Sequence, residues 1–459
     1  MSLRERLGLA DNDARLDYID QASFLMLQAT GRQQLMQCIW LYEHPIDLDG
    51  VRRFHENFGY GLAGRLIEPS PLPFGRHRWV AWEGPHAELE IAEPRPREAL
   101  GDWLDERGQV PVDPEHGPGW HMAVLPMTDG STAVCATGSH CLADGVGGLF
   151  QDICAVKGIR PDFGYPRPRS RTRVQAVVGD LRQTVRDLPE VGRALKLAAK
   201  LGWRRRHELR GSGSAPRPAA VTVDNPDEIV VVPAITVFIP LPEWDARAEA
   251  LGGNGYSLMA GIAARLGERM GRRRPEDGNV TLLIAQSDRT LEDTRAHAML
   301  FANVRVDPRP VATDLSGTRA VIRESLKKLR EQAHEEEWGL LPLNPFVPKR
   351  AVQRMGDLWF GLGDLPVACS NLGDLDPVIT RVDGTDAEYM LLRGIDQGLT
   401  RGYLERTGGQ LVVVGGRVGA NMSVNVVGYQ AGRPNSKARL RELVAGVLDE
   451  FGLSGQYVV

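Results

Sequence analysis

Cysteine is scarce: Cys38, Cys135, Cys141, Cys154 and Cys369 are the five among 459 residues. Their number is odd and no CxxC pair occurs, which argues against a disulfide framework and against a zinc site. A reducing cytoplasm is the expectation, with contact to a membrane or lipid surface peripheral at most. No apolar run reaches the roughly 18 residues of a membrane span, and the N-terminal MSLRERLGLADNDARLDYID lacks the apolar stretch of a signal peptide. An excess of positive charge is also missing. The 55 Lys and Arg stand against 59 Asp and Glu, a formal net charge of −4, so no basic field invites nucleic acid. The GxSxG nucleophile elbow and the P-loop do not occur either.

What is present is a globular composition, 42% hydrophobic and 25% charged, rich enough in apolar residues for a large core. The length suits two or three domains or one large paired architecture. Strand-like runs cover 34–41, 77–82, 121–126 and 132–137, the last two joined by a hairpin turn at Asp129-Gly130. Helical spacing covers 48–58, 97–106 and 147–156. From 157 to 218 the sequence turns Arg- and Pro-rich, with helices expected over 174–188 and 190–206 on either side of Pro189, a helix breaker. GSGSAPRP at 211–218 reads as a flexible linker. Beyond it strands are expected over 229–240, 281–286, 301–306, 367–370, 411–414 and 422–427, and helices over 257–270, 315–336 and 437–451. The division is therefore an N-terminal lobe at 1–156, a helical crossover and linker at 157–218, and a C-terminal lobe at 219–459. Two similar α/β layers around a cleft fit this pattern.

The chemistry concentrates in SHCLADGVGG at 139–148. An apolar strand ends in His140, a glycine-assisted turn holds Asp144 and Gly145, and a helix follows. This order places an imidazole at the rim of a sheet, where residues face clefts. Imidazole is the side chain best matched to accepting a proton near neutral pH, and Asp144 can orient the ring or fix the loop. The alternative is a core histidine satisfied by backbone, with Asp144 capping the helix. One His and one Asp supply at most two ligands, so no metal site is expected.

SHCLADGVGG resembles the HHxxxDG signature of the chloramphenicol-acetyltransferase-like superfamily. That superfamily includes condensation domains of peptide synthetases, BAHD-type acyltransferases and wax ester synthase/diacylglycerol acyltransferases. His140, Asp144 and Gly145 match the signature, and Ser139 stands where its first His is. IAQSDRT at 284–290 and LFANVRV at 300–306 resemble two further segments of the superfamily. They imply that Arg289 pairs with Asp144 and that Asn303 borders the substrate tunnel. PVACSNLGDLD at 366–376 resembles the SNVPGP-like stretch of wax ester synthases, which puts Ser370 and Asn371 at the tunnel, although SNLG also reads as a turn after a strand. LDYIDQASFLMLQ resembles the opening segment of the same enzymes.

The resemblance implies an α/β fold of two lobes, each a mixed sheet with flanking helices, around a central cleft or tunnel. It implies transfer of an acyl group from a thioester to a hydroxyl or amine with His140 as general base, and no covalent acyl-enzyme. The co-substrate is acyl-coenzyme A or an acyl carrier thioester rather than a bound cofactor. The wax ester synthase/diacylglycerol acyltransferase branch is the nearest in kind, with esters as the product. A stand-alone condensation enzyme using carrier-protein-bound acyl groups, or a silent binding member of the fold, are the alternatives. LGWRRRHELR at 201–210 groups Arg204, Arg205, Arg206 and Arg210 beside Trp203. Such a cluster suits coenzyme A phosphates, an acidic carrier protein or an anionic lipid surface, or is a solvated helix face.

Overall fold

The computed structural model describes residues 14–85, 87–209, 223–290, 293–332, 337–352 and 364–458, with the side chains at 204–209, 332 and 337–338 outside the description. The linker at 211–218 and Arg210 also fall outside it. Two mixed sheets organise the chain. The first has the order β11-β1-β6-β5-β4, from β1 (Gln33–Tyr42), β4 (Leu89–Ile91), β5 (Trp120–Pro126), β6 (Thr132–Ser139) and β11 (Tyr389–Gln397). The second has the order β14-β7-β13-β12-β10-β8-β9. Its members are β7 (Ala234–Pro240), β8 (Val280–Ser287), β9 (Met299–Val306), β10 (Val367–Asp374), β12 (Gly409–Val418), β13 (Asn421–Gln430) and β14 (Gln456–Tyr457). A ribbon of β2 (Arg65–Glu68) and β3 (Arg78–Ala81) stands apart.

The first sheet takes its edge from the far end of the sequence. β11 lies antiparallel on β1, with Gln33 opposite Gln397 and Leu41 opposite Tyr389. Trp40 donates from Nε1 to the Ile379 carbonyl at 2.7 Å, and Tyr42 donates to that of Thr380 at 3.0 Å. These buried bonds tie the two halves of the chain, because unpaired donors in the core would be costly. The second sheet packs its apolar face on α7 (Gly255–Arg269) and α10 (Lys437–Glu450), with Leu258, Ile262, Val413, Val424 and Val444 in one core. Asn254 and Ser257 form a capping box at the start of α7. The helix stops before Gly271, whose φ is 77°, the left-handed conformation that ends helices.

One helical expectation needs correcting. The two helices foreseen around Pro189 are a single 37-residue helix, α5 (Arg173–Leu209), about 55 Å long at 1.5 Å per residue. Proline removes one hydrogen bond, but Pro189 is exposed and so is Val185 four residues back, so the freed carbonyl opens to water. The outer face of α5 is unusual. Val174, Val178, Leu181, Val185, Leu188 and Leu195 recur at helical spacing and are all exposed. Beside them runs an exposed row of Arg182, Arg186, Arg193, Lys196 and Lys200. Trp203 is 65% exposed at the end of the stripe. No described helix is long and apolar enough to cross a membrane.

Candidate functional site

β6 ends at Ser139, opposite Leu35 of β1. His140 follows directly, and its amide donates to the Gln34 carbonyl at 2.9 Å. The chain then turns into α4 (Gly145–Val156), which Asp144 caps by accepting from the Gly147 amide at 2.7 Å. The capping reading of Asp144 is thus present in the structure, and its second oxygen does more. It accepts from the Ala298 amide at 2.8 Å and lies 2.9 Å from Arg289 Nη2. Arg289 also donates to the carbonyls of Ala296 and Asp293. With Asp144 fully buried, the guanidinium compensates a charge that would otherwise be costly there.

Glycine is needed in this turn for space. A Cβ on Gly147 would stand 3.1 Å from the Arg289 guanidinium and 3.2 Å from Asp144 Oδ1. Gly145, the residue that matches the signature, is less crowded, with Leu372 of β10 at 3.4 Å. A second buried arginine braces the loop. Arg65 donates to the Leu142 carbonyl at 2.6 Å and to that of Thr294, and its guanidinium lies 3.7 Å from the Trp79 ring centroid.

The His140 ring hydrogen-bonds with His297, which the sequence did not single out. Its Nε2 is 3.0 Å from His140 Nδ1, with the two rings 28° from parallel. His297 Nδ1 in turn lies 2.9 Å from Asp20 Oδ1. Asp20 sits in α1 (Tyr18–Thr30), fully buried, and also accepts from the amides of Ala296 and His297. Asp20 and Asp144 together hold the three successive amides of 296–298, so this strap is clamped against the motif loop.

Such a chain sets tautomers. An ionised Asp20 only accepts, so His297 carries its proton on Nδ1 and offers Nε2 as an acceptor. His140 then donates from Nδ1, leaving the Nε2 lone pair free. The ring keeps partial exposure while its surroundings are protein. Burial first, and the neighbouring His297 second, push its pKa down to about 4. The ring is therefore neutral at pH 7 and its lone pair is available.

No described hydrogen bond links Ser139 to the ring. Its buried hydroxyl accepts from Gln33 Nε2 at 2.7 Å and from the Cys141 amide at 3.3 Å, which makes it part of the loop's framework. Ser370 and Asn371 are half-buried on β10, whose Leu372 faces Gly145 across 3.4 Å from the Cβ position. Asn371 folds back to accept from the Gly373 amide at 2.9 Å. Asn303 is exposed on β9, opposite Leu283, and no described hydrogen bond links it to His140. Among the described residues no group of three or more His, Cys, Asp or Glu could hold a metal ion. The five cysteines are free. Arg204, Arg205 and Arg206 lie on α5, but their side chains fall outside the described residues.

An apolar cavity of about 50 Å³ backs onto the motif loop. Met36, Phe58, Trp120 and Leu142 line it, with Ser139 at its edge and Asp152 of α4 in its wall.

No protein-family model matches the sequence, and no curated protein is significantly similar to it. Solved structures do resemble the fold. The first condensation domain of the calcium-dependent antibiotic synthetase, in complex with a substrate analogue, is 14% identical, with 96% of this chain and 99% of that chain covered and a TM-score of 0.56. The wax ester synthase/diacylglycerol acyltransferase from Marinobacter aquaeolei VT8 is 16% identical, with 95% and 98% covered and a TM-score of 0.56. A trichothecene 15-O-acetyltransferase from Fusarium sporotrichioides is 11% identical, with 95% and 94% covered and a TM-score of 0.58. At such identities the likeness is one of fold, and over nearly its whole length the chain has the two-lobed chloramphenicol-acetyltransferase-like fold of condensation domains.

Proposed function

We propose that the chain is an acyltransferase in which His140 acts as general base on an acceptor hydroxyl or amine. The observation that supports this most is the His140 ring itself, in a partly buried residue, whose Nδ1 is tied through His297 to buried Asp20. As the acceptor oxygen or nitrogen attacks the thioester carbonyl, its proton passes to His140 Nε2. The tetrahedral intermediate then collapses, the carbon–sulfur bond breaks, and the proton leaves on the departing thiol sulfur. The growing imidazolium charge is shared with His297, which faces Asp20. No side chain need form a bond to the acyl group, and Asp144 and Arg289 hold the loop without competing for the proton.

An acyl-coenzyme A donor and an ester product, as in wax ester or acylglycerol synthesis, are favoured over a carrier-bound donor and an amide. The apolar and basic rows along α5 support this reading. An exposed apolar stripe with cations beside it suits the interface of an anionic membrane, which supplies acyl donors and acceptors of low solubility. Thiol release from acyl-coenzyme A and from a carrier-bound acyl thioester, each with alcohol and amine acceptors, tests the proposal. Turnover by the wild type and its loss by a factor of at least about 100 in His140→Ala are expected. Unchanged turnover in His140→Ala overturns the mechanism, and turnover only with the carrier-bound donor selects the condensation enzyme. Absence of turnover with both donors favours a silent binding member.

A further inference from the structure

Of the glutamines on β1, Gln33 and Gln37 belong to the framework. Both are buried; Gln33 donates to the Ser139 hydroxyl at 2.7 Å and Gln37 to the Leu104 carbonyl at 3.1 Å. Gln34 is exposed, and the strand register shows what stands beside it. On one side it lies opposite Asp396 of β11. On the other, Leu35 lies opposite Ser139, so one step along the ladder Gln34 lies opposite His140, whose amide donates to the Gln34 carbonyl.

Residues directly opposite each other project from the same face of a sheet, with Cβ atoms about 4.5–5.5 Å apart. His140, Gln34 and Asp396 therefore form a row across three strands, with the carboxamide in the middle. The next row on that face is Gly138, Met36 and Gly394. A Cβ on Gly394 would meet nothing within 4 Å, so the face is open there.

Asp396 settles which way the carboxamide turns. One of its oxygens accepts from Gln410 Nε2 of β12 at 3.3 Å. Burial raises its pKa, while Gln410, Arg32 and Gln34 act in favour of the carboxylate. A carboxylate only accepts, so Gln34 presents its NH2 group to it rather than its carbonyl. One N–H is engaged in this way, and the second is left for the space in front of the His140 ring. Asp396 thus does for this amide what Asp20 does for His297.

We propose that Gln34 donates a hydrogen bond to the oxyanion of the tetrahedral intermediate, with Asp396 as its positioning residue. The assignment rests on the acyl-transfer reading. As the acceptor atom bonds to the thioester carbon, the carbonyl π pair moves onto oxygen, and the Gln34 N–H meets the charge that forms. The pair returns when the carbon–sulfur bond breaks. A neutral carbonyl is the weaker acceptor, so the bond strengthens towards the transition state and its loss falls on kcat.

Steady-state thiol release from whichever thioester donor the wild type turns over tests this, on full-length variants that melt as the wild type does. Gln34→Met keeps the length of the side chain and removes the donor. It should lower kcat about 10- to 100-fold with KM changed by less than about threefold. Asp396→Asn lets the carboxamide turn either way and should lower kcat about 3- to 10-fold, but should add no loss to Gln34→Met, because it acts through that residue. A kcat for Gln34→Met within about threefold of wild type, or a loss confined to KM, overturns the oxyanion role. Additive losses in the double variant overturn the positioning role of Asp396. Turnover abolished in His140→Ala but kept in Gln34→Met removes this proposal alone, whereas a wild type without turnover removes the acyl-transfer reading and this role with it.

Discussion

Replacing His297 by phenylalanine tests the hydrogen-bond chain most directly. The ring is nearly conserved in shape, and Asp20 keeps its bonds to the amides of Ala296 and His297. What disappears is the acceptor 3.0 Å from His140 Nδ1. A neutral bond of this kind contributes about 1 kcal/mol, and one to a charged group about 1.5–3 kcal/mol. Because His140 gains its charge only as the proton moves, the bond strengthens towards the transition state and its loss falls on kcat. At 1.36 kcal/mol per decade, His297→Phe should lower kcat by about 10- to 100-fold with KM little changed. The pH profile supplies a readout that a merely structural role would not move. Burial is the first cause that holds the His140 pKa down at about 4. Losing an acceptor that favours the charged ring should move the acid limb of kcat further down in pH, away from the ordinary imidazole value of about 6.5. Thiol release from acyl-coenzyme A, followed from pH 3 to 8 on protein shown to melt as the wild type does, gives both quantities. A kcat within threefold of wild type and an unmoved acid limb would refute the role assigned to His297.

Three further outcomes are expected. Arg289→Met leaves the buried Asp144 carboxylate without its cation, so urea unfolding should show a loss of about 3–5 kcal/mol, part of which Asp144→Asn in the same chain should restore. Asp152→Asn should change how stability depends on pH. Burial raises the wild-type carboxyl from 3.8 to about 7, so across that window the native state holds a proton that the unfolded state has lost, and wild-type stability falls as pH rises. The amide does not titrate, and its advantage over wild type should grow by up to about 4 kcal/mol between pH 4 and 8; parallel urea titrations that stay equally spaced would count against a buried acid. On α5, Leu181→Glu with Leu188→Glu should abolish co-flotation with phosphatidylglycerol vesicles at low salt, and wild type that ignores such vesicles, or that dimerises through this face, removes the lipid-surface reading.

Much of the local structure was legible because its causes are local. Alternation and helical spacing marked β1, β5, β6, α7 and α10, since side-chain periodicity is written in neighbouring residues. The Asp129-Gly130 turn and the strand–His140–turn–helix order belong to the same class. Asp144 as a cap three residues ahead of Gly147 is likewise a short-range matter. Pro189 misled because its local cost is real but small enough on an exposed face for a long helix to continue through it. β11 escaped notice as well: YMLLRGIDQ mixes apolar and polar residues without clean alternation, and only its pairing to β1 makes it a strand.

The sequence alone determined an α/β chain with one imidazole at a strand end and an acid four residues on. Tertiary structure decided what that imidazole can do. Its tautomer depends on His297, 157 residues away, and on Asp20, which is 277 residues from His297. Contacts of that range leave no periodic trace: Asp20 lies within an amphipathic helix like any polar residue, and His297 lies in a loop. Closing such distances depends on two sheets burying their faces and sharing a strand, and only that packing brings an aspartate, two histidines and a clamped strap into hydrogen-bonding reach.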